Sequence, residues 1–397
     1  MFSRHHRPSR RAKVLPGGAS GIVSRALTVA AAVLAAVATT AGPSPAQPPP
    51  PPPCADQAVL AEQVQQIQKT LAGLDHRLDE LQKNIDDVLW FDRVADVALV
   101  EKVRITGPAP WKEENPHGIG AGNPVKFYSY VFVPRALDRD GRAPLLVLPH
   151  GGVHANFDTY YTHIVREMVA QGYVVIAPEY RGSTGYGRDF YERIDYGGRE
   201  IGDCDAARAW AIANYDFVDA QRVGVVGWSH GGLIALFTVF EHAPAYRCAF
   251  AGVPVSDLIA RLGYLGEEYA SEFSAPFHIG QTVTENIAEY KRRSPVWNVE
   301  KLRTPLLVHG NTNDEDVNVL EVESLVRALK AAGKEFAYEI YDAAPGGHSF
   351  DRLDTQRAQE IRLKIYRFLA RHLDPPRPFA DVAQLRQAAY VQPGGAR

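Results

Sequence analysis

Cysteine is scarce in this chain, which has only Cys54, Cys204 and Cys248 among its 397 residues. The three residues lie far apart and form neither a C-x-x-C pair nor a Cys/His cluster, which argues against a zinc site and a disulfide framework. A single bridge between Cys204 and Cys248 stays open for an exported chain. Both residues lie in apolar segments, however, and this favours two buried free thiols.

An excess of one charge sign is also absent, because the formal net charge is only −3. Nothing in this balance points to nucleic acid as a partner. The apolar stretch at residues 26–38 is too short to span a bilayer comfortably. With 46% hydrophobic residues, the chain is expected to bury one large core and to carry an accessory segment.

Acidic residues are missing from the first 25 positions, which are rich in Arg and His and precede the apolar stretch. This pattern predicts a signal peptide within residues 1–46, with small-residue cleavage sites at 36–38 and 44–46. We therefore expect a secreted, periplasmic or cell-surface protein, with membrane attachment only if the segment stays uncleaved as an anchor. Residues 47–55 are rich in proline and predict a stiff, extended linker.

Residues 56–90 carry apolar side chains at alternating steps of four and three. This spacing is typical of a coiled-coil seam, and it predicts a helix through which the chain forms a homo-oligomer. The alternative is one amphipathic helix packed on its own domain. The seam positions are Leu60, Val64, Ile67, Leu71, Leu74, Leu78, Leu81, Ile85 and Val88.

Residues 91–375 alternate strand-like and helix-like segments, and residues 376–397 form a C-terminal tail. The predicted strands are Val97–Ile105, Val125–Val133, Leu145–Leu148, Tyr173–Ala177, Val223–Val226, Cys248–Val253, Leu306–Val308 and Phe336–Tyr341. The predicted helices lie near 160–170, 206–213, 233–241, 320–331 and 355–372. The later strands are continuously apolar, which favours a parallel sheet covered on both faces, whereas the first two alternate and predict an antiparallel edge.

A glycine-flanked serine follows the fifth predicted strand, in the sequence Gly227-Trp228-Ser229-His230-Gly231-Gly232. A G-x-S-x-G pattern between a strand and a helix is typical of a nucleophile elbow, in which the serine hydroxyl is exposed on a sharp turn. Eight strands with this serine after the fifth predict the α/β-hydrolase fold, a mostly parallel, doubly wound α/β sheet.

That fold predicts an acid and a histidine after later strands. Asp314 follows the seventh predicted strand, and His348 lies on a glycine-rich loop after the eighth. His348 is expected to act as the general base for Ser229, with the Asp314 carboxylate orienting the imidazole. Asp316 is the rival acid, since the same loop could present either carboxylate.

Two backbone amides are expected to stabilise an oxyanion. One belongs to His230, which follows the serine. The second belongs to Gly152, or alternatively to Val153, in the loop after the third predicted strand, where His150-Gly151-Gly152 lets the backbone approach a substrate closely.

The chain resembles the catalytic domain of the prolyl oligopeptidase family of serine peptidases, nearest to its acylaminoacyl-peptidase and dipeptidyl-peptidase-like branches. The resemblance covers about residues 125–373. It rests on Gly227–Gly232, His150-Gly151-Gly152, Asn313–Val317 and Gly347-His348, and above all on Pro178–Phe190 followed by Gly202, Asp203, Asp205 and Ala209-Trp210. It implies a Ser-His-Asp triad and an acyl-enzyme intermediate, with no cofactor and no metal.

The sequence departs from the family at three points. Members commonly place a β-propeller ahead of this domain, whereas this chain has the predicted signal, linker and coiled coil. Val153 replaces a usual Pro, and Glu179 stands where Asn is common before Tyr-Arg-Gly.

A peptide or small acyl substrate is expected, and the same triad could serve an esterase instead of a peptidase. A non-catalytic coiled-coil scaffold is the other alternative. The aromatic segment Ser256–Val299 predicts a lid or pocket wall, although the alternative, that each ring belongs to the core of a helical cap, is favoured for any single ring. No substrate-binding residue is assigned.

Overall fold

The computed structural model describes residues 55–113, 115–137 and 141–390. The predicted signal segment, Cys54 and nearly all of the predicted linker lie outside the described residues. The chain divides into two compact units, residues 1–67 and 68–397. Helix α1, Ala55–Val94, contributes its first residues to the first unit and residues 68–94 to the second.

An eight-stranded sheet forms the centre of the second unit and confirms the predicted fold class. Its strand order is β1-β2-β4-β3-β5-β6-β7-β8. The first two strands run antiparallel to their neighbours, and the other six are mutually parallel. The strands are β1 Ala98–Thr106, β2 Lys126–Pro134, β3 Ala143–Val147, β4 Val174–Pro178, β5 Val218–Trp228, β6 Cys248–Gly252, β7 Leu306–Asn311 and β8 Ala337–Tyr341.

Helices cover both faces of this sheet, which explains the continuously apolar strands. One apolar cluster includes Cys204, Leu233 and Leu325, and the other includes Met168, Ile365 and Leu385. The remaining described helices are α2 Thr162–Ala170, α3 Arg188–Tyr191, α4 Arg199–Asn214, α5 His230–Glu241, α6 Leu258–Leu265, α7 Glu267–Ser274, α8 Ile287–Arg292, α9 Val319–Ala331, α10 Gln356–Leu373 and α11 Val382–Ala389.

Several elements extend beyond their predicted bounds, and β5 begins at Val218 rather than at Val223. Helix α4 begins at Arg199 rather than near residue 206. Its polar first turns are buried, and they pair with a residue outside the helix: the Asp203 carboxylate binds the Arg181 guanidinium at 2.7 Å. The predicted C-terminal tail contains helix α11 at residues 382–389, which buries Leu385 and Ala389 completely.

Cys204 and Cys248 are both buried free thiols, as the sequence favours. Burial raises the pKa of each thiol above its usual range. No helix in the described ranges is both long and apolar enough to cross a bilayer.

A buried ion pair attaches residues 68–94 of α1 to the rest of the second unit. Lys83 Nζ lies 2.6 Å from Glu179 Oε1, and both side chains are almost completely inaccessible. The same ammonium donates to the Phe157 carbonyl at 2.5 Å. Burial raises the pKa of the Glu179 carboxyl, and the charge of Lys83 opposes that rise. The acidic residue in place of the family's common Asn therefore has a partner on the N-terminal helix.

Further contacts of α1 follow the same helix face. Asp86 Oδ1 accepts from the Thr159 amide at 3.1 Å, and the buried Trp90 ring stacks on Phe157 with centroids 5.3 Å apart. Gly185 lies against the Lys83 side chain so closely that an added Cβ would be 2.6 Å from Lys83 Cβ. Residues 83, 86 and 90 are spaced by three and four, as one helix face requires.

The predicted seam lies on a different face of α1 and is exposed. All nine seam side chains are exposed, from 43% at Val64 to 70% at Val88. Among the described residues, α1 therefore combines a buried face at 83, 86 and 90 with an exposed apolar face. Self-association through the seam stays a prediction.

We expect the Lys83→Met substitution to lower the free energy of unfolding by about 3 to 5 kcal/mol, because it leaves the Glu179 carboxylate buried without its partner. Adding Glu179→Gln should recover part of the loss. Thermal and urea unfolding measure both effects.

The control for this experiment is Lys364→Met, which breaks an exposed ion pair with Glu339. It should cost no more than about 1 kcal/mol. Equal stabilities for Lys83→Met and Lys364→Met would show that the buried pair does not anchor α1.

Candidate active site

Ser229 occupies a strained turn between β5 and α5. Its φ of 58° and ψ of −123° are rare for a residue with a side chain, and such a conformation costs about 1–3 kcal/mol. Hydrogen bonds hold it in place: the Ser229 amide donates to the Gly252 carbonyl at 2.9 Å, and its carbonyl accepts from Leu233 and Val255.

Close backbone crossings explain the glycines of this turn. A Cβ on Gly227 would lie 2.0 Å from the Gly231 carbonyl oxygen, and one on Gly231 would lie 2.5 Å from that of Pro149. Neither position accepts a side chain. The turn therefore presses the start of α5 against the end of β3, where the His150-Gly151-Gly152 loop begins.

The two predicted oxyanion donors lie on either side of this crossing. The His230 amide is at the first position of α5, where helix geometry supplies no intrahelical acceptor. Tyr180 Oη donates to the Gly152 carbonyl at 3.0 Å. The Gly152 amide makes no hydrogen bond to another residue in the described ranges. The Gly151 amide, in contrast, donates to Tyr161 Oη at 3.1 Å.

His348 pairs with Asp314. The imidazole Nδ1 lies 2.8 Å from Asp314 Oδ2 and 2.9 Å from Oδ1. The Asp314 side chain is nearly inaccessible, and its Oδ1 also accepts from the amides of Asp316 and Val317. A proton on Nδ1 therefore donates to the carboxylate and leaves the Nε2 lone pair free. Ser229 Oγ forms no hydrogen bond within the described part of the chain.

Asp316 faces the other side of the same imidazole. Its Oδ2 lies 3.7 Å from His348 Nε2, while Oδ1 accepts from Arg261 Nη2 at 2.6 Å. Burial would raise the pKa of the Asp316 carboxyl, but the charges of Arg261 and His348 outweigh burial and lower it. Asp316 is thus an ionised neighbour of the histidine, and Asp314 is the carboxylate bonded to Nδ1.

Two residues that the sequence analysis did not single out fix the histidine loop. Glu315 Oε2 accepts from the His348 backbone amide at 3.0 Å. The Asn311 side chain donates to the Gly347 carbonyl at 2.9 Å and accepts from the Ala344 amide. Asn311 ends β7, and Glu315 lies in the acidic loop that follows. Their positions along the chain gave no reason to single them out from the neighbouring residues.

The His230 side chain is buried. Neither ring nitrogen has a hydrogen-bond partner among the described residues. Burial lowers the pKa of His230 well below its usual range, so the ring is neutral at neutral pH. Its Nε2 lies 3.7 Å from Glu200 Oε1, and burial, aided by Asp195, raises the pKa of Glu200 to about 8.

The aromatic segment at 256–299 forms α6, α7 and α8. Phe273 and Tyr290 are fully buried, whereas Trp297 is 51% exposed. Arg261 on α6 connects this cap to the acidic loop through Asp316. Trp228 packs in the core, and its indole N–H donates to Asp351 Oδ2 at 2.8 Å.

A cavity of about 960 Å³ lies elsewhere, between the end of α1, the start of α2 and α11. Arg352 lines it, and the same guanidinium donates to the His348 carbonyl. Ser229, Asp314 and His348 do not line this cavity.

Comparison with known proteins places these features in one family. The sequence profile of the prolyl oligopeptidase family matches residues 159–376, more than half of the chain. The chain belongs to the prolyl oligopeptidase family. The matched residues include the serine turn, the acidic loop and the histidine loop.

Curated relatives in this family are much longer than the part they share with this chain. An uncharacterized peptidase, YuxL of Bacillus subtilis, is 29% identical over 58% of this chain and 35% of its own length. Dipeptidyl aminopeptidase BIII of Pseudoxanthomonas mexicana is 28% identical over 58% of this chain and 34% of its own. The chain thus spans about a third of the length of these relatives.

Solved structures share the fold. An acylaminoacyl peptidase in complex with Z-Gly-Gly-Phe-chloromethyl ketone superposes with a TM-score of 0.58 at 18% identity, over 73% of this chain and 44% of the other. At this identity the likeness shows the fold alone.

Proposed function

We propose that this prolyl oligopeptidase family member is an exported serine peptidase that cleaves peptide bonds through Ser229, His348 and Asp314. The observation that carries the proposal is the pairing of His348 Nδ1 with Asp314 at 2.8 Å at the sheet edge where β5 presents Ser229 on a strained turn. Family membership supports peptide substrates.

In the proposed reaction, Ser229 Oγ attacks the scissile carbonyl carbon while His348 Nε2 takes the hydroxyl proton. The oxyanion receives hydrogen bonds from the His230 and Gly152 amides. His348 then gives the proton to the departing amine, leaving an acyl group on Ser229. A water molecule attacks the carbonyl carbon of this ester while His348 takes its proton. His348 then returns that proton to Ser229 Oγ as the acyl–Oγ bond breaks, and the acid product leaves.

The two carboxylates have different tasks in this reaction. Asp314 fixes the Nδ1–H tautomer and stabilises the imidazolium through a direct hydrogen bond. Asp316, held by Arg261, stabilises the same cation across 3.7 Å without directing its tautomer.

We expect Asp314→Asn to lower kcat by about 10⁴-fold, as loss of the correct tautomer does in other triads. Asp316→Asn is the matched control and should cost only a few-fold, because it removes an ion pair and no triad hydrogen bond. Steady-state hydrolysis of aminoacyl amides, blocked peptides and short acyl esters measures both effects.

The reverse order of effects would assign the triad acid to Asp316. Turnover of esters with none of any amide would replace the peptidase by an esterase. If Ser229→Ala turned over substrate as fast as the wild type, the proposal that Ser229 is the nucleophile would be wrong.

Export is part of the same proposal and is supported by the acid-free, Arg-rich start and the apolar stretch within residues 1–46. We expect the protein from its native host to be found outside the cytoplasm with an N-terminus shortly after Ala38 or Ala46. Mass spectrometry of fractionated cells tests this. An intact Met1 on cytoplasmic protein would contradict export.

Self-association through the exposed α1 seam completes the proposal. Supporting it are the steps of four and three, the exposure of all nine side chains and the anchoring of α1 by Lys83 on another face. A second copy of α1 is the natural occupant, because a coiled-coil seam is complementary to itself.

We expect multi-angle light scattering to give a mass above one protomer for the wild type and one protomer for Leu78→Glu with Leu81→Glu. The control, Gln82→Glu with Asn84→Glu, adds the same charge at exposed polar positions and should keep the oligomer. A wild-type mass of one protomer would exclude self-association.

A further inference from the structure

Three side chains from distant parts of the sequence meet beside the candidate active site. His154 follows the oxyanion loop, Glu272 lies on α7, and His278 lies in the segment after α7. One ligand atom from each lies within 4.8 Å of the others. Within the described residues, this is the cluster of three His, Cys, Asp or Glu side chains that is compact enough to hold a metal ion.

The His154 ring is already oriented as metal ligands usually are. Its Nδ1 donates to the Gly182 carbonyl at 2.9 Å. A backbone acceptor on one ring nitrogen fixes the tautomer and leaves the lone pair of the other nitrogen available. That other nitrogen, Nε2, is buried without a hydrogen-bond partner among the described residues and lies 3.9 Å from Glu272 Oε1. Tyr191 stacks on the ring with centroids 3.5 Å apart and restrains its rotation.

His278 supplies a second unused donor. Its side chain is 1% exposed, and neither ring nitrogen has a hydrogen-bond partner in the described part of the chain. A buried imidazole without partners loses the hydrogen bonds that water would give it. Such a group is therefore a candidate for binding an ion or another ligand. Lys112 steadies the surrounding backbone by donating to the carbonyls of Pro276, His278 and Ile279.

We propose that His154, Glu272 and His278 bind a zinc ion. Two imidazoles and one carboxylate are a ligand set that zinc uses with three protein ligands and one water. Zinc bond lengths of 2.0–2.2 Å place neighbouring donor atoms about 3.3 Å apart, so the three donor atoms, now within 4.8 Å of one another, must move closer together when the ion binds. The Glu272 side chain is 37% exposed, which gives the fourth position access to water.

Such an ion would join two segments that border the active site. His154 lies two residues after Gly152, the proposed oxyanion donor, and Glu272 and His278 belong to the cap at 256–299. The zinc would thus fix the oxyanion loop against the cap, and it takes no part in the proposed acyl transfer.

Equilibrium dialysis of the full chain against zinc, after removal of metal by a chelator, tests the site. We expect one zinc per chain, a melting temperature raised by several degrees, and visible absorption typical of tetrahedral coordination when Co²⁺ replaces zinc. Glu272→Gln and His278→Gln should each weaken binding by at least about tenfold. Glu272→Gln preserves the shape of a partly exposed side chain, so its metal-free melting temperature should match that of the wild type.

Two control variants separate this site from other effects. His242→Gln removes a surface histidine that lies 3.8 Å from Asp205 without a third ligand, and it should bind zinc as the wild type does. Ser229→Ala should also bind zinc normally, so failure of the hydrolytic mechanism would leave this test intact. No zinc retained by the wild type, or equal retention by Glu272→Gln and His278→Gln, would overturn the proposal.

Discussion

The close crossing of backbones at the serine turn is the constraint on which the rest of the site depends. Gly227 and Gly231 leave no room for a Cβ, so β5 can pass directly into α5 with Ser229 at φ 58°. The strain is held by backbone hydrogen bonds from both sides of the turn. Because the parallel strands β6, β7 and β8 continue the sheet beside β5, the loops after them reach the same edge and bring Asp314 and His348 to it.

Helix α1 shows how the sequence before the sheet is integrated with the hydrolase body. Its buried face ends in the Lys83–Glu179 pair, and Glu179 directly precedes the Tyr180-Arg181-Gly182 segment beside the oxyanion loop. The His150 ring contacts this network as well, since its Nε2 lies 3.6 Å from Glu179 Oε2. Helix α1 therefore contacts, through Lys83 and Glu179, the segment next to the oxyanion loop, while its apolar seam is exposed.

Local patterns predicted the architecture, which the eight-stranded sheet confirms, and they also supplied the candidate site residues. Short apolar runs predicted the strands. The glycines around Ser229 predicted a tight turn, because the geometry of such a turn accepts few other residues. The sequence also predicted the acidic loop, but it could not decide between the two carboxylates, because they lie only two positions apart. Only the structure shows that Asp314 contacts Nδ1 while Asp316 is held by Arg261 from the cap.

Features built from distant residues were not predictable in this way. Hydrophobic periodicity did not predict the first turns of α4. Their polar residues are buried because they pair with Arg181, and such a pairing leaves no periodic apolar pattern. The sequence showed that Glu179 departs from the family pattern, but it did not predict that Lys83 is its partner. Lys83 lies on α1, where the apolar spacing predicts only the seam on a different face of the helix. The cluster of His154, Glu272 and His278 likewise exists only where the cap meets the oxyanion loop.

The central claim is that Ser229 is an activated nucleophile. Treatment of the folded protein with a fluorophosphonate, followed by peptide mass spectrometry, tests it most directly. We predict one phosphonyl group per chain, carried by Ser229 and absent from Ser229→Ala. No label on folded wild-type protein, or equal labelling of Ser229→Ala, would contradict the account.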